Sequence, residues 1–248
     1  MSQFNPQDQQ VPNSLHQKLV QPNGRFNYIF LAKKAFRVLR QTFWPLFQAC
    51  LALFFIVLGG ALLLVNVFPV AVLTQMPPQQ QVIIDIVSVL IFAPLTTGLS
   101  MMGINAIRGN VVNSGHVLHY FPMVLVLALA QLLISVMTQV GFTLLVIPGL
   151  YILMATTFTL PLIADKQLGI LAALKLSVSV VNKHLLSFVV LFTVFLLLFL
   201  ISMVSFGIAL LVVMPFYFVV MGIVYSALFD NDPSHESVSK SQELVFDA

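Results

Sequence analysis

LLSFVVLFTVFLLLFLISMVSFGIALLVVMPFYFVVMGIVYSALF, residues 185–229, runs for 45 positions without Asp, Glu, Lys or Arg. About 20 apolar residues of α-helix cross the hydrocarbon core of a bilayer, so this stretch holds two transmembrane helices, turning near Ser205 and Gly207. Residues 166–184, just before it, read as a surface helix. Leu171, Leu174, Val178, Val181 and Leu185 recur at i, i+3, i+7, i+10 and i+14, and Lys175, Ser179, Asn182 and Lys183 supply the polar side. The unit is therefore an amphipathic elbow followed by a transmembrane hairpin.

The composition agrees. Of 248 residues, 59% are hydrophobic and 8% charged, with mean hydropathy +1.01. Soluble domains carry about 25% charged residues. In lipid every backbone polar group needs an internal partner, which leaves helices or a closed barrel. Here the apolar runs are continuous and do not alternate, so the expected class is all-α. The single cysteine, Cys50, lies in an apolar run and reads as a small buried hydrophobe.

Upstream, the chain repeats the unit. Residues 1–27, rich in Gln, Asn and Pro, read as a disordered cytoplasmic tail with no signal peptide. A first elbow at 28–43 places Ile29, Ala32, Phe36, Leu39 and Phe43 on one face and Lys33, Lys34, Arg37 and Arg40 on the other. Such a basic amphipathic helix lies in the head-group plane. Its four bases are candidate contacts for anionic lipid head groups, or else a topology signal. Trp44 and Pro45 follow as interfacial aromatic and helix starter.

The first hairpin is expected over 42–65 and 82–104, around an outer loop holding Pro69 and 76–81. Asp85, near that loop, reads as an interfacial or helix-contacting acid, with a proton relay as the sharper alternative. Pro94, Thr96, Thr97, Gly98 and Ser100 read as a close-packing segment. A second elbow is expected over 105–121. It carries His116 and His119, which read as interfacial; a metal site with His184 would lack a carboxylate or thiolate.

The second hairpin is expected over 122–138 and 142–164, turning around Gly141. Gln131, Ser135 and Thr138 form one polar stripe, either a helix-packing seam or the lining of a pathway continued by Thr156, Thr157 and Thr159. GFTLLVIP (141–148) lies over GIALLVVMP (207–215), and the two copies close with Asp165 and Asp230. In the first copy Pro94 sits deeper and no acid closes the unit. The expected architecture is a polytopic membrane protein of six transmembrane helices in three parallel repeats, about 28–108, 109–165 and 166–230. Residues 231–248 read as a second disordered tail.

All eleven Lys and Arg, at 18, 25, 33, 34, 37, 40, 108, 166, 175, 183 and 240, fall in segments that a six-span path puts on one side. The positive-inside rule then places both termini in the cytoplasm. The same placement turns the net charge of +3 away from nucleic acid, because the bases border spans.

The three elbow-plus-hairpin units, the two Gly-to-Pro stretches and the ending YSALFD (225–230) resemble the bacterial YciC-like inner-membrane proteins. They also resemble the membrane portion fused to some glycerophosphodiester phosphodiesterases. The resemblance covers about residues 28–230. It implies a six-helix protein of the bacterial inner membrane and brings no catalytic motif, and the phosphodiesterase domain of the fused relatives is absent.

No paired carboxylates, zinc motif, phosphate loop or Ser-His-Asp set is visible, so no catalytic, metal or cofactor site is expected. The expected function is non-catalytic: organising lipid or partner membrane proteins through the elbows and the lateral surface. The alternative is a passive route for lipid or a small solute.

Overall fold

The computed structural model describes residues 10–67, 77–110, 112, 114–205, 207 and 209–230. It is all-helical, and six of its helical stretches are long and apolar enough to cross a membrane. In order these are Tyr28–Leu63, Ile83–Arg108, His119–Leu144, Val146–Lys166, Leu185–Val204 and Leu210–Phe229.

The described residues begin with α1, Gln10–Leu19, where a disordered tail is expected. That expectation fails from residue 10 onward. Leu15 and Leu19 recur at i, i+4 and are both buried, as is Phe26 beyond them. A tight turn, with Gly24 at φ 74 in the left-handed region, leads into an antiparallel bridge between Val20 and Phe26. Residues 1–9 and 231–248 lie outside the described residues.

Helix α2, Tyr28–Val67, joins the first elbow to the first span. The side chain of Asn27 caps its start by accepting from the Phe30 amide at 3.1 Å. The helix breaks its φ/ψ at Thr42 (−112, 16), close to Pro45, whose ring crowds the carbonyl one turn back. The Thr42 hydroxyl bonds the Val38 carbonyl at 2.9 Å, covering one group at the bend. The elbow buries Leu31, Ala35 and Leu39, and exposes Ile29 (70%) and Phe36 (69%). Of the expected apolar face, Leu39 is buried and Phe43 packs against the core, whereas Ile29 and Phe36 face outward. Two apolar stripes flank the bases, one for the bundle and one turned outward.

Helix α3, Pro78–Arg108, continues past the expected end and stops at Gly109, φ 77, in a left-handed cap. The second elbow is accordingly not an amphipathic α-helix. Beyond the cap, Ser114–Met123 is a 3-10 helix. Helix α4, Val124–Leu144, carries Gly141 inside it, and the reversal comes at the extended residue Leu145. A Cβ on Gly141 would sit 3.0 Å from the Gly149 Cα, so the expected turn residue is a contact point between two helices.

The fourth span is split into α5, Val146–Ala155, and α6, Thr159–Lys166. Pro161 removes an amide that would have bonded inside the helix. Buried Ser177 spans the break, donating to the Ala155 carbonyl at 2.7 Å and accepting from the Phe158 amide at 3.3 Å. Ser177 belongs to α7, Ile170–Lys183, the third elbow. It buries Ala173, Ser177, Val180 and Val181, whereas Leu171 and Leu185 of the expected stripe are exposed. Small residues win this interface because the elbow lies close against the backbone of the break.

Helices α8, Leu185–Val204, and α9, Leu210–Phe229, form the third hairpin, turning where expected with Gly207 at φ 82. Every residue from Phe218 to Phe229 is buried, which makes α9 the axis of the bundle. Its closest neighbour is α3. A Cβ on Gly222 would lie 2.5 Å from the Gly103 carbonyl oxygen, and one on Gly103 would collide with the Phe218 carbonyl. The two backbones touch, as small residues permit in apolar surroundings. The second span of each hairpin is more buried (33%, 50% and 61%) than the first (22%, 22% and 28%). The second spans therefore form an inner ring.

Candidate functional site: an arginine clasp where three helices end

The C-terminal ends of α3, α6 and α9 meet. Arg108 closes α3, Asp165 lies in the last turn of α6, and Asp230 follows α9. Arg108 donates from Nη1 to Asp165 Oδ1 at 2.7 Å and from Nη2 to Asp165 Oδ2 at 2.8 Å. From its other edge Nε donates to Asp230 Oδ2 at 3.1 Å and Nη2 to Asp230 Oδ1 at 2.6 Å. One planar guanidinium thus holds two carboxylates bidentately, a geometry lysine cannot supply. The Tyr225 hydroxyl donates to Asp165 Oδ2 at 2.8 Å, and its ring lies 5.9 Å from the guanidinium carbon.

Position explains the chemistry. Cations suit helix C-termini, where carbonyls point outward, and anions do not. Arg108 sits at such an end, and it compensates the two acids placed at the other ends. The three side chains keep only 25%, 12% and 17% of their surface exposed, so their charges interact in surroundings drier than bulk water. Beneath them Phe158 packs on Phe188, Tyr225 and Phe229, a wall that excludes water from one side. The cluster can fasten three helix ends. Both of its carboxylates are engaged by the guanidinium.

A cleft of about 30 Å³ opens beside Tyr225, bordered by Ser100, Ile104, Thr157, Pro161, Tyr217 and Gly222. A water needs about 10–15 Å³ on this measure, so the space is on the scale of a water or two.

The residues singled out from sequence are dispersed. Lys33, Arg37 and Arg40 are exposed and Lys34 is half-buried, all on the first elbow. Gln131, Ser135 and Thr138 line one side of α4, half-buried, and among the described residues the buried Thr138 hydroxyl has no hydrogen-bond partner. Thr156 and Thr157 bond the carbonyls of Ile152 and Leu153, while the buried Thr159 hydroxyl has no partner among the described residues. Asp85 is exposed near the start of α3. His184 faces the N-terminal arm, its Nδ1 3.0 Å from the Gly24 carbonyl. His119 stacks edge-on to Tyr120, and the side chain of His116 lies outside the described residues. Among the described residues no three His, Cys, Asp or Glu come together.

Sequence reasoning noted Asp165 and Asp230 as matching ends but read Arg108 as an orientation signal. The clue was positional: Arg108 closes the first unit where the acids close the others. No family model, no curated protein and no solved structure matches this chain.

Proposed function

We propose that this multi-pass membrane protein is a non-catalytic organiser of the bacterial inner membrane, gathering lipids or partner membrane proteins through its first elbow and lateral surface. One observation carries the reading. Arg108, Asp165 and Asp230 close on one another in the clasp, while the first elbow turns Ile29, Phe36, Lys33, Arg37 and Arg40 outward. Trp44, 65% exposed, stacks with Phe47 at the bend and suits the head-group level. The resemblance to YciC-like proteins and the one-sided distribution of bases support an inner-membrane protein with both termini in the cytoplasm.

Three repeats, 28–108, 109–165 and 166–230, are part of the proposal. The convergence of Arg108, Asp165 and Asp230, each at the close of its unit, supports it. The second reading, a passive route for lipid or a small solute along Gln131, Ser135 and Thr138, is favoured by the unpartnered Thr138 hydroxyl.

The test is photo-crosslinking in native membranes from position 36, with position 144, an exposed leucine of α4, as control. Recurrent protein or lipid adducts from 36 and not from 144 support the organiser. Identical adduct patterns from both positions contradict it.

A further inference from the structure

We infer that the N-terminal arm and the first elbow together hold the phosphate of an anionic phospholipid. The inference rests on the membrane-surface reading of the elbow and adds a second wall to it. Leu15 and Leu19 are buried, α1 packs against α9 and α2, and Lys18 is left exposed on the other side of α1. The arm is pinned further by the Phe26 amide donating to Ser187 Oγ at 3.1 Å and by Phe26 packing edge-on to Phe188. So held, Lys18 stands close enough to Lys34 to oppose its charge, as does Arg37.

Burial first, and then the charges of Lys18 and Arg37, oppose the charge of half-buried Lys34, and Lys33 and Arg40 lie on the same elbow of α2. An anion seated there would relieve that opposition. The described acids are Asp85, Asp165 and Asp230. Arg108 takes two of them, and Asp85 is near the start of α3, far along that helix from Arg108. Among the described residues, none of the five bases makes an ion pair. An Arg fork with neighbouring ammonium groups is the donor set that recognises a phosphate. The height of that phosphate follows from exposed Ile29, Phe36 and Trp44, which enter the acyl boundary while the bases stay at head-group level. A phosphate carried by lipid fits this combination, because apolar side chains exposed beside the bases need an apolar medium.

The experiment is native mass spectrometry of the full chain from detergent, supplied with phosphatidylglycerol or phosphatidylcholine. Phosphatidylglycerol should be retained preferentially, and K18Q and K34Q should each weaken that preference about fivefold, the effect of about one base near an anionic surface. K18R should restore it, and K175Q, removing an exposed base of α7, should leave it unchanged. If K33Q/R37Q/R40Q weakens the preference but K18Q does not, the arm is no part of the site and the inference fails alone. If the triple variant also has no effect, the membrane-surface reading of the elbow fails with it. Equal protection of Lys18 and Lys34 by free glycerol phosphate would assign the site to a soluble anion. A preference that emerges only on deleting residues 231–248, with their four acids, would assign it to the chain's own tail. Either result overturns the lipid proposal.

Discussion

Arg108 and Asp230 fasten the ends of two helices whose backbones already touch farther along, where Gly103 meets Gly222. The pair therefore does not hold apart or draw together loose elements. It fixes the rotation of α3 about α9, and through Asp165 it carries α6 into the same register.

Removing Arg108 alone leaves two carboxylates facing each other in a largely dry site. R108A should destabilise the protein by about 3–5 kcal/mol, whereas R108L/D165L/D230L should come close to wild type. Chemical unfolding in detergent measures both. A near-neutral R108A would show that the clasp contributes nothing to stability.

The glycine contact makes a separate prediction. G103L and G222L force bulk between two backbones and should each cost about 1–3 kcal/mol or more. G59L should be neutral, since a Cβ there meets nothing within 4 Å. Equal tolerance at positions 59 and 222 in a thermal aggregation assay would contradict the close crossing.

Ser177 satisfies both sides of the break between α5 and α6. S177A should cost about 1–3 kcal/mol and speed hydrogen exchange at the Phe158 amide, while S179A, on the exposed side of α7, should do neither. Unchanged exchange at Phe158 in S177A would mean that the break needs no support from α7.

Orientation is tested with reporters. A reporter after residue 230 should be active only in the cytoplasm, and reporters at 80 and at 145 only outside. The inner site follows the base distribution, and 145 is the observed reversal of the second hairpin. Cytoplasmic activity at 80 would remove the six-span path.

Span number and the helical class were legible because charge-free runs of this length have one physical solution in lipid. The turn at Gly207 was legible too, because a glycine between two such runs marks it. Faces were less legible. The elbow's outward stripe of Ile29 and Phe36 is legible, but the second stripe of Leu31 and Ala35, which packs on the bundle, is not, because in lipid an apolar stripe is equally stable facing either way. The same ambiguity hid the Ala173–Ser177 contact of α7, where small residues pack and the larger Leu171 does not. Gly141 misled for a related reason, since glycine serves both turns and close helix contacts. The clasp was half visible, in Asp165 and Asp230. Its third member was hidden by its sign, because a base near a span reads first as an orientation signal. The arm escaped because Leu15, Leu19 and Phe26 are few among polar neighbours, and only the floor beneath them shows what they bury.

We propose that this protein acts by its surface and that its bundle carries no lipid route, and dithionite quenching of a fluorescent phospholipid in liposomes containing the purified protein tests this. For a surface-acting protein only the outer-leaflet label should be quenched, as in protein-free liposomes. Quenching of the inner-leaflet label at a rate that rises with protein content, and falls in Q131A/S135A, would contradict it and establish the α4 stripe as a lipid route.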